Sequence, residues 1–213
     1  MIDSIGFDLD GTLWDYADRY AGIFAQVLQG RADIEPPTVK AVRAATGLPA
    51  LAYIEALFPR LKDADEAEKM RLFRQAETIG CARILERGGR LYDGLEQTLC
   101  TLSKRYRLFI ASNCEPLYLH NFLQYYGFSP YFTDTICQNL PGAKPTKGEN
   151  IRLVCERNGF CAPLFVGDAQ SDADAARAAG VPFVWASYGY GRVADAAYRI
   201  DAPSELVPLT ERL

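Results

Sequence analysis

The apolar and polar positions of this chain follow two regimes. Near the N-terminus, Ile5-Gly6-Phe7 is a short apolar run ending in Asp8-Leu9-Asp10-Gly11-Thr12, the pattern of a buried strand that delivers polar side chains to a turn. Helical spacing then takes over. Tyr20, Ile23, Phe24 and Val27 predict a helix over residues 16–28, with Asp15 as a plausible N-cap. Further helices are predicted over residues 37–46, 50–58 and 64–85, the last with Leu72, Ala76 and Ile79 on one face. Gly30 and Pro36-Pro37 interrupt the first helix, Gly88-Gly89 closes the stretch, and no strand pattern falls between.

From Leu91 onward short apolar strands alternate with helices. Leu95, Leu99 and Leu102 mark a helix leading into a strand over residues 108–111 that ends at Ser112-Asn113. Pro116 opens the next helix and Gly127 stops it. A weaker strand over residues 132–137 precedes a Pro-Gly loop that carries Lys144 and Lys147. A helix over residues 148–158, a strand over 164–166 running into Gly167-Asp168, an Ala-rich helix over 171–179 and a strand over 181–185 follow. A short strand over 198–200 and a helix after Ser204 complete the chain.

Such alternation predicts an α/β fold with a doubly wound parallel sheet covered by helices on both faces. Residues 1–14 and 91–213 would form this Rossmann-like core, and residues 15–90 an inserted α-helical domain. Ligands of such sheets bind beyond the carboxyl ends of the strands. Asp8, Asp10, Ser112 and Asp168 all stand at predicted strand ends, so one site can collect them.

Composition narrows the partners. With 213 residues, about half of them hydrophobic, the chain can bury a main core and a smaller insertion. A net charge of -4 without a basic stripe argues against nucleic acid. No apolar run approaches membrane-spanning length, so no membrane partner is expected and a cytoplasmic location is the default. The six cysteines form no C-x-x-C pair, the pattern of reduced thiols rather than of a disulfide framework or zinc site. His120, the single histidine, lies beside the core face of its helix and reads as a packing or surface residue.

The chemistry starts from Asp8 and Asp10. In a strictly regular strand, residues two apart share a face. Two anions that close repel unless a proton or cation joins them, and oxygen ligands suit a hard divalent ion such as Mg²⁺. A small anionic ligand is compatible with the acidic chain, because one cation and a lysine can reverse the local field.

Taken together, Phe7-Asp8-Leu9-Asp10-Gly11-Thr12-Leu13, the Ser112-Asn113 strand end, a lysine before a helix, and Gly167-Asp168 with Asp172 resemble the haloacid dehalogenase-like (HAD) hydrolase superfamily. The helical insertion after the first motif looks like the family's type 1 cap, and more narrowly the chain looks similar to the phosphoglycolate phosphatase-like branch. This resemblance implies a Mg²⁺-dependent phosphatase acting on a small phosphorylated metabolite through an aspartyl phosphate. It implies Asp8 as nucleophile and Asp10 as general acid and base. The metal would be held by Asp8, Asp168 and the Asp10 main-chain carbonyl, with Asp172 holding a metal-bound water. Ser112, the amides of Leu9 and Asn113, and a lysine would contact the phosphoryl group. Lys147, directly before the predicted helix, has the familiar spacing, and Lys144-Pro145 is the alternative. Arg19, Arg43, Thr46, Gly47 and Tyr53 are the insertion's possible substrate contacts. Trp14-Asp15-Tyr16 departs from the family's commoner small residues after the first motif, so a bulky aromatic would narrow the cap hinge. A monomer or homodimer is expected.

A sugar-phosphate mutase would use the same core, but no residue of the insertion clearly suits returning a phosphate to product. A non-enzymatic phosphate-accepting or phosphate-binding protein is the reading from another class. Keeping Asp8, Asp10, Ser112, a lysine and Asp168 together argues against it.

Overall fold

A computed structural model describes residues 2–213 of the chain; Met1, counted with the expected core, lies outside the described residues. The first apolar run forms β1 (Ser4–Phe7), and every residue of it is buried. It is joined in one sheet by β4 (Arg107–Ser112), β5 (Phe132–Cys137), β6 (Pro163–Gly167), β7 (Phe183–Ala186) and β8 (Tyr198–Ile200). The strand order is β5-β4-β1-β6-β7-β8, with all neighbours parallel. Successive side chains of a strand point to opposite faces. Leu108 and Ile110 accordingly join one buried cluster, and Phe109 and Ala111 the other. The sheet is therefore buried on both sides, as the continuous apolar strands require.

The helices of this core are α5 (Leu95–Leu102), α6 (Pro116–Tyr126), α7 (Lys147–Asn158), α8 (Gln170–Ala179) and α9 (Leu206–Thr210). Of the bounds that differ from the sequence expectation, two do so for plain local reasons. The α7 helix starts one residue early, because Thr146 and Glu149 make a reciprocal capping box: the Glu149 N–H donates to Thr146 Oγ1 at 3.2 Å and the Thr146 N–H to Glu149 Oε2 at 3.1 Å. The strand expected from Val181 starts at Phe183, because the Val181 N–H closes the end of α8 on the Ala176 carbonyl at 2.9 Å, past Gly180 in the left-handed region.

Between the first motif and Leu91 lie α1 (Ala17–Val27), α2 (Val39–Ala45), α3 (Ala50–Leu57) and α4 (Glu66–Arg87). This helical lobe is rooted in a feature the periodicity did not predict. Trp14–Asp15 (β2) and Arg90–Leu91 (β3) pair antiparallel as a separate two-stranded sheet. Two residues are too few to display an alternation. Trp14 stacks on Tyr16 at 4.7 Å between centroids and meets Phe122 of α6 at 4.9 Å, so the root is packed against the core. No helix of the described residues is long and apolar enough to cross a membrane.

β1 is the centre of the sheet, paired with β4 through Phe7↔Ile110 and with β6 through Phe7↔Val166. The chain leaves β1 to one side and returns on the other, which makes the carboxyl end of β1 a topological switch point. Close packing there depends on Gly6. A Cβ at Gly6 would stand 2.3 Å from the Phe109 ring and 2.7 Å from Phe165. Gly6→Ala should destabilise the fold by about 1–3 kcal/mol through overpacking. A lower urea midpoint at unchanged denaturant slope is the expected readout, and an unchanged midpoint would contradict the packing argument.

Candidate active site

The strand proper ends at Phe7, which corrects the expectation that Asp8 and Asp10 share a strand face. Asp8 stays at the sheet edge, its N–H donating to the Val166 carbonyl at 2.9 Å. The chain then turns: the buried Leu9 offers its carbonyl to the Leu13 N–H at 2.9 Å, and the Gly11 N–H donates to the Trp14 carbonyl at 2.9 Å. The turn sends the two carboxylates apart. Asp8 Oδ1 accepts from Lys147 Nζ at 2.5 Å, whereas Asp10 Oδ1 accepts from the Tyr118 hydroxyl at 2.7 Å and from Trp14 Nε1 at 3.0 Å.

Asp168 follows β6 and Asp172 lies in the first turn of α8. Lys147 Nζ also donates to Asp172 Oδ1 at 2.5 Å, so one ammonium bridges two carboxylates from different elements. Asp172 Oδ2 accepts from the Ala169 N–H at 3.0 Å and so closes the helix start as well. Asp168 is held by the Tyr190 and Gly191 N–H groups at 2.7 and 3.0 Å and by the Thr12 hydroxyl at 3.3 Å. The approach is tight: a Cβ on Gly11, whose φ is +84°, would stand 2.5 Å from Asp168 Oδ2. A side chain at Gly189 would stand 2.3 Å from the Gly11 carbonyl oxygen.

Asp8, Asp168 and Asp172 are all buried, and each presents an oxygen within 4.8 Å of the others. Three hard oxygen donors that close, with one lysine among them, form a donor set that fits a divalent cation. The Asp10 carboxylate stands outside this group. Burial raises the pKa of Asp8 even against the Lys147 charge. Burial, with the Asp172 and Asp8 charges, pushes Asp168 up to about 7. Asp10 also rises to about 7, through burial opposed by the Tyr118 hydrogen bond and assisted by the Asp8 charge. Burial works to lower Lys147, but the Asp172 and Asp8 charges outweigh it and hold the ammonium firmly protonated.

Asp8, Asp10, Ser112, Asn113, Lys147, Asp168 and Asp172 all line one cavity between core and lobe. Arg43, Thr46, Gly47 and Tyr53 line its lobe side. Ser112 is buried at the end of β4 and accepts from the Cys114 N–H at 3.3 Å. Asn113 Nδ2 donates to the Gly47 carbonyl at 3.1 Å, a direct tie between core and lobe. Arg19 and Lys144 are exposed and outside the cavity lining, so the structure does not bring these two together with the rest. His120 is exposed, and all six cysteines are free.

Several residues of the site were not singled out from sequence. Tyr118 holds Asp10 together with Trp14, which the sequence marked only as a bulky hinge residue, and Tyr190 links its backbone to Asp168 and its hydroxyl to Asp15 Oδ1 at 2.7 Å. Glu77 lines the lobe side of the cavity, where burial, opposed by the Tyr20 hydrogen bond, pushes it up to about 7. The Gly189-Tyr190-Gly191 run after a predicted strand was a readable signal. Glu77 gave none, being one of many glutamates on helical spacing.

The family model for haloacid dehalogenase-like hydrolases matches residues 2–180. The chain is 25% identical over 221 residues to an N-acetylmuramic acid 6-phosphate phosphatase of Pseudomonas aeruginosa, covering 99% of this chain and 96% of that one. It is 28% identical over 211 residues to a phosphoglycolate phosphatase of Escherichia coli K12, covering 89% and 82%. The crystal structure of a predicted phosphoglycolate phosphatase from Haemophilus somnus superposes with a TM-score of 0.83 at 26% identity, covering 98% of each chain.

The raised carboxyl groups set a pH dependence for the metal-free protein. Asp10, Asp168 and Glu77 stand near 7 against ordinary values of 3.8, 3.8 and 4.5, so the folded state binds more protons than the unfolded state between about pH 4 and 7. Their contribution is present below the unfolded values and lost as pH rises through 7. Asp15 and Asp134, held below the ordinary range by their arginine and other hydrogen-bond partners against the effect of burial, stay charged over this window and add no slope. The melting temperature in chelator should therefore fall from pH 5 to pH 8, and Mg²⁺ should raise it most at pH 8. A melting temperature that climbs over this range would contradict the assignment.

Proposed function

The chain belongs to the haloacid dehalogenase-like hydrolase family, and from that membership we propose that it is a Mg²⁺-dependent phosphatase hydrolysing a small-molecule phosphomonoester through an aspartyl phosphate at Asp8. One observation carries the reading. Two carboxylates two residues apart are held in different environments, Asp8 on Lys147 within the three-carboxylate group and Asp10 outside it on Tyr118 and Trp14. Groups of one kind with separate surroundings can take separate roles in acid and base chemistry.

Asp8 and Asp168 would hold Mg²⁺, with Asp172 beside them holding a metal-bound water and the Asp10 main-chain carbonyl as a further donor by family resemblance. When bound, the ion neutralises phosphoryl oxygens and screens the repulsion between carboxylate and phosphate. The Asp8 carboxylate attacks phosphorus, forming the Asp8–phosphorus bond as the ester oxygen departs. Asp10, near neutrality in its pKa, gives its proton to that oxygen, so the alcohol leaves uncharged. Asp10 then takes a proton from the water that attacks the phosphorylated Asp8, which releases phosphate and restores the carboxylate. Lys147, protonated and fixed between Asp8 and Asp172, offsets charge on the transferring group. Ser112 donates its hydroxyl proton to a phosphoryl oxygen, and the Leu9 and Asn113 amides complete the phosphate contacts. Residues 15–90 act as a cap on the core formed by residues 1–14 and 91–213, shielding the phosphoryl group from bulk water.

Phosphate release from a panel of metabolite esters tests the proposal. It should require a divalent cation and fall by roughly a thousandfold or more in Asp8→Asn, with a smaller change in KM. Lys147→Ala should lose most activity and the exposed Lys144→Ala little. Turnover that survives Asp8→Asn would remove the covalent route.

A further inference from the structure

We infer that the lobe end of the cavity selects a leaving group that carries a hydrogen-bond donor, hydroxyl or ammonium, and rejects one that carries a carboxylate. The inference rests on the phosphatase reading and names the class of ester it would take.

The charges lining the cavity are unequally distributed. Lys147 and Arg43 are its only cationic residues among the described residues. Lys147 sits at the core end, engaged by Asp8 and Asp172. At the lobe end, the Arg43 guanidinium donates to Asp15 Oδ2 at 2.6 Å, and the Asp15 side chain is only 5% exposed. Arg90 shares the same oxygen at 2.9 Å. A substrate carboxylate reaching for Arg43 must therefore compete with a buried carboxylate already in place.

The lining also offers acceptors. Glu77 and Glu115 both line the cavity. One Glu77 oxygen accepts from the Tyr20 hydroxyl, whereas Oε2 is buried with no partner. An unpaired buried carboxylate oxygen is costly, and a donor from a bound molecule removes that cost. The terminal torsion of a glutamate is soft, so either oxygen can turn to meet such a donor. Of the five phenols that line the cavity, Tyr53 alone makes no hydrogen bond among the described residues; the other four cannot help a carboxylate, because their protons are committed. Tyr16 donates to the Gly80 carbonyl at 3.0 Å, Tyr118 to Asp10 at 2.7 Å, and Tyr20 to Glu77. What they present to a ligand is lone pairs and ring faces, which suit hydroxyl protons and ammonium groups. Above pH 7, where Glu77 is ionised, a carboxylate beside it would meet a like charge, and like charges so placed repel strongly.

Three two-carbon esters of nearly equal size isolate the distal group: 2-phosphoglycolate, 2-hydroxyethyl phosphate and 2-aminoethyl phosphate, with p-nitrophenyl phosphate as a substrate lacking any such group. With the full chain and Mg²⁺, the hydroxyl or amino ester should exceed phosphoglycolate by about tenfold or more in kcat/KM, chiefly through KM. Whichever of the two leads identifies the donor. Glu77→Gln keeps a partner for Tyr20 and should shrink the ratio several-fold by raising KM for the preferred ester and lowering it for phosphoglycolate. Phosphoglycolate equal to or ahead of both others in wild type overturns the inference, even if Glu77→Gln fails to fold. A folded Glu77→Gln, by its melting curve, with an unchanged ratio overturns it too, as does release from p-nitrophenyl phosphate alone. No release from any of the four overturns the phosphatase reading itself.

Discussion

Three buried carboxylates, two of them bridged by one ammonium, at the carboxyl ends of the central strands set the terms for the rest of this structure. Asp8, Asp168 and Asp172 come from three separate elements, and left to themselves they would repel one another out of the sheet edge. Lys147 Nζ, 2.5 Å from both Asp8 and Asp172, offsets part of that repulsion, and a divalent cation suits the remainder. The surrounding backbone is shaped to the same end. Gly11 and Gly189 bring the first motif and the loop after β7 close enough to enclose Asp168, whose carboxylate is fixed by two main-chain N–H groups. The price of this enclosure is a set of carboxyl groups held far above their ordinary pKa.

A second buried anion fixes the lobe to the core. Asp15 stands in β2, where the chain leaves the core, and collects Arg43 from α2, Arg90 from β3 and the Tyr190 hydroxyl from the loop that also holds Asp168. Removing one partner from such a node would leave charge uncompensated, which is why it can register the lobe against the site. Trp14 works on both problems, since its ring packs the lobe root against Phe122 while its indole N–H orients Asp10. The bulky residue after the first motif is therefore part of the site as well as of the hinge.

The same two nodes shape the cavity. Lys147 and the carboxylates suit its core end to a phosphoryl group. The commitment of Arg43 to Asp15 leaves its lobe end to Glu77 and to phenols of which all but Tyr53 already donate their protons. Charge is thus graded along the cavity by which side chains have found partners, not by which residue types are present.

Much of this was legible in the chain because it is local. The apolar runs of β1, β4 and β6 and the helical spacings depend only on neighbouring residues, so the parallel α/β fold and the helical insertion could be read directly. Asp8, Asp10, Ser112 and Asp168 could be read as one group too, because strand ends in such a sheet converge wherever the order of strands switches. The preference for Lys147 over Lys144 rests on the spacing that the family resemblance implies, and the capping box at Thr146 is what starts the helix at Lys147. Partnership across the fold was not legible. That Asp10 turns to Tyr118, 108 positions away, that Tyr190 ties Asp15 to Asp168, and that Glu77 meets Tyr20 are outcomes of packing between elements remote in sequence. The sequence by itself determined which elements form and which ends carry chemistry, through periodicity and turn residues. Only the tertiary structure decided which carboxylate met a cation, which met a phenol and which was left without a partner, because burial and hydrogen bonding are properties of the assembled surroundings.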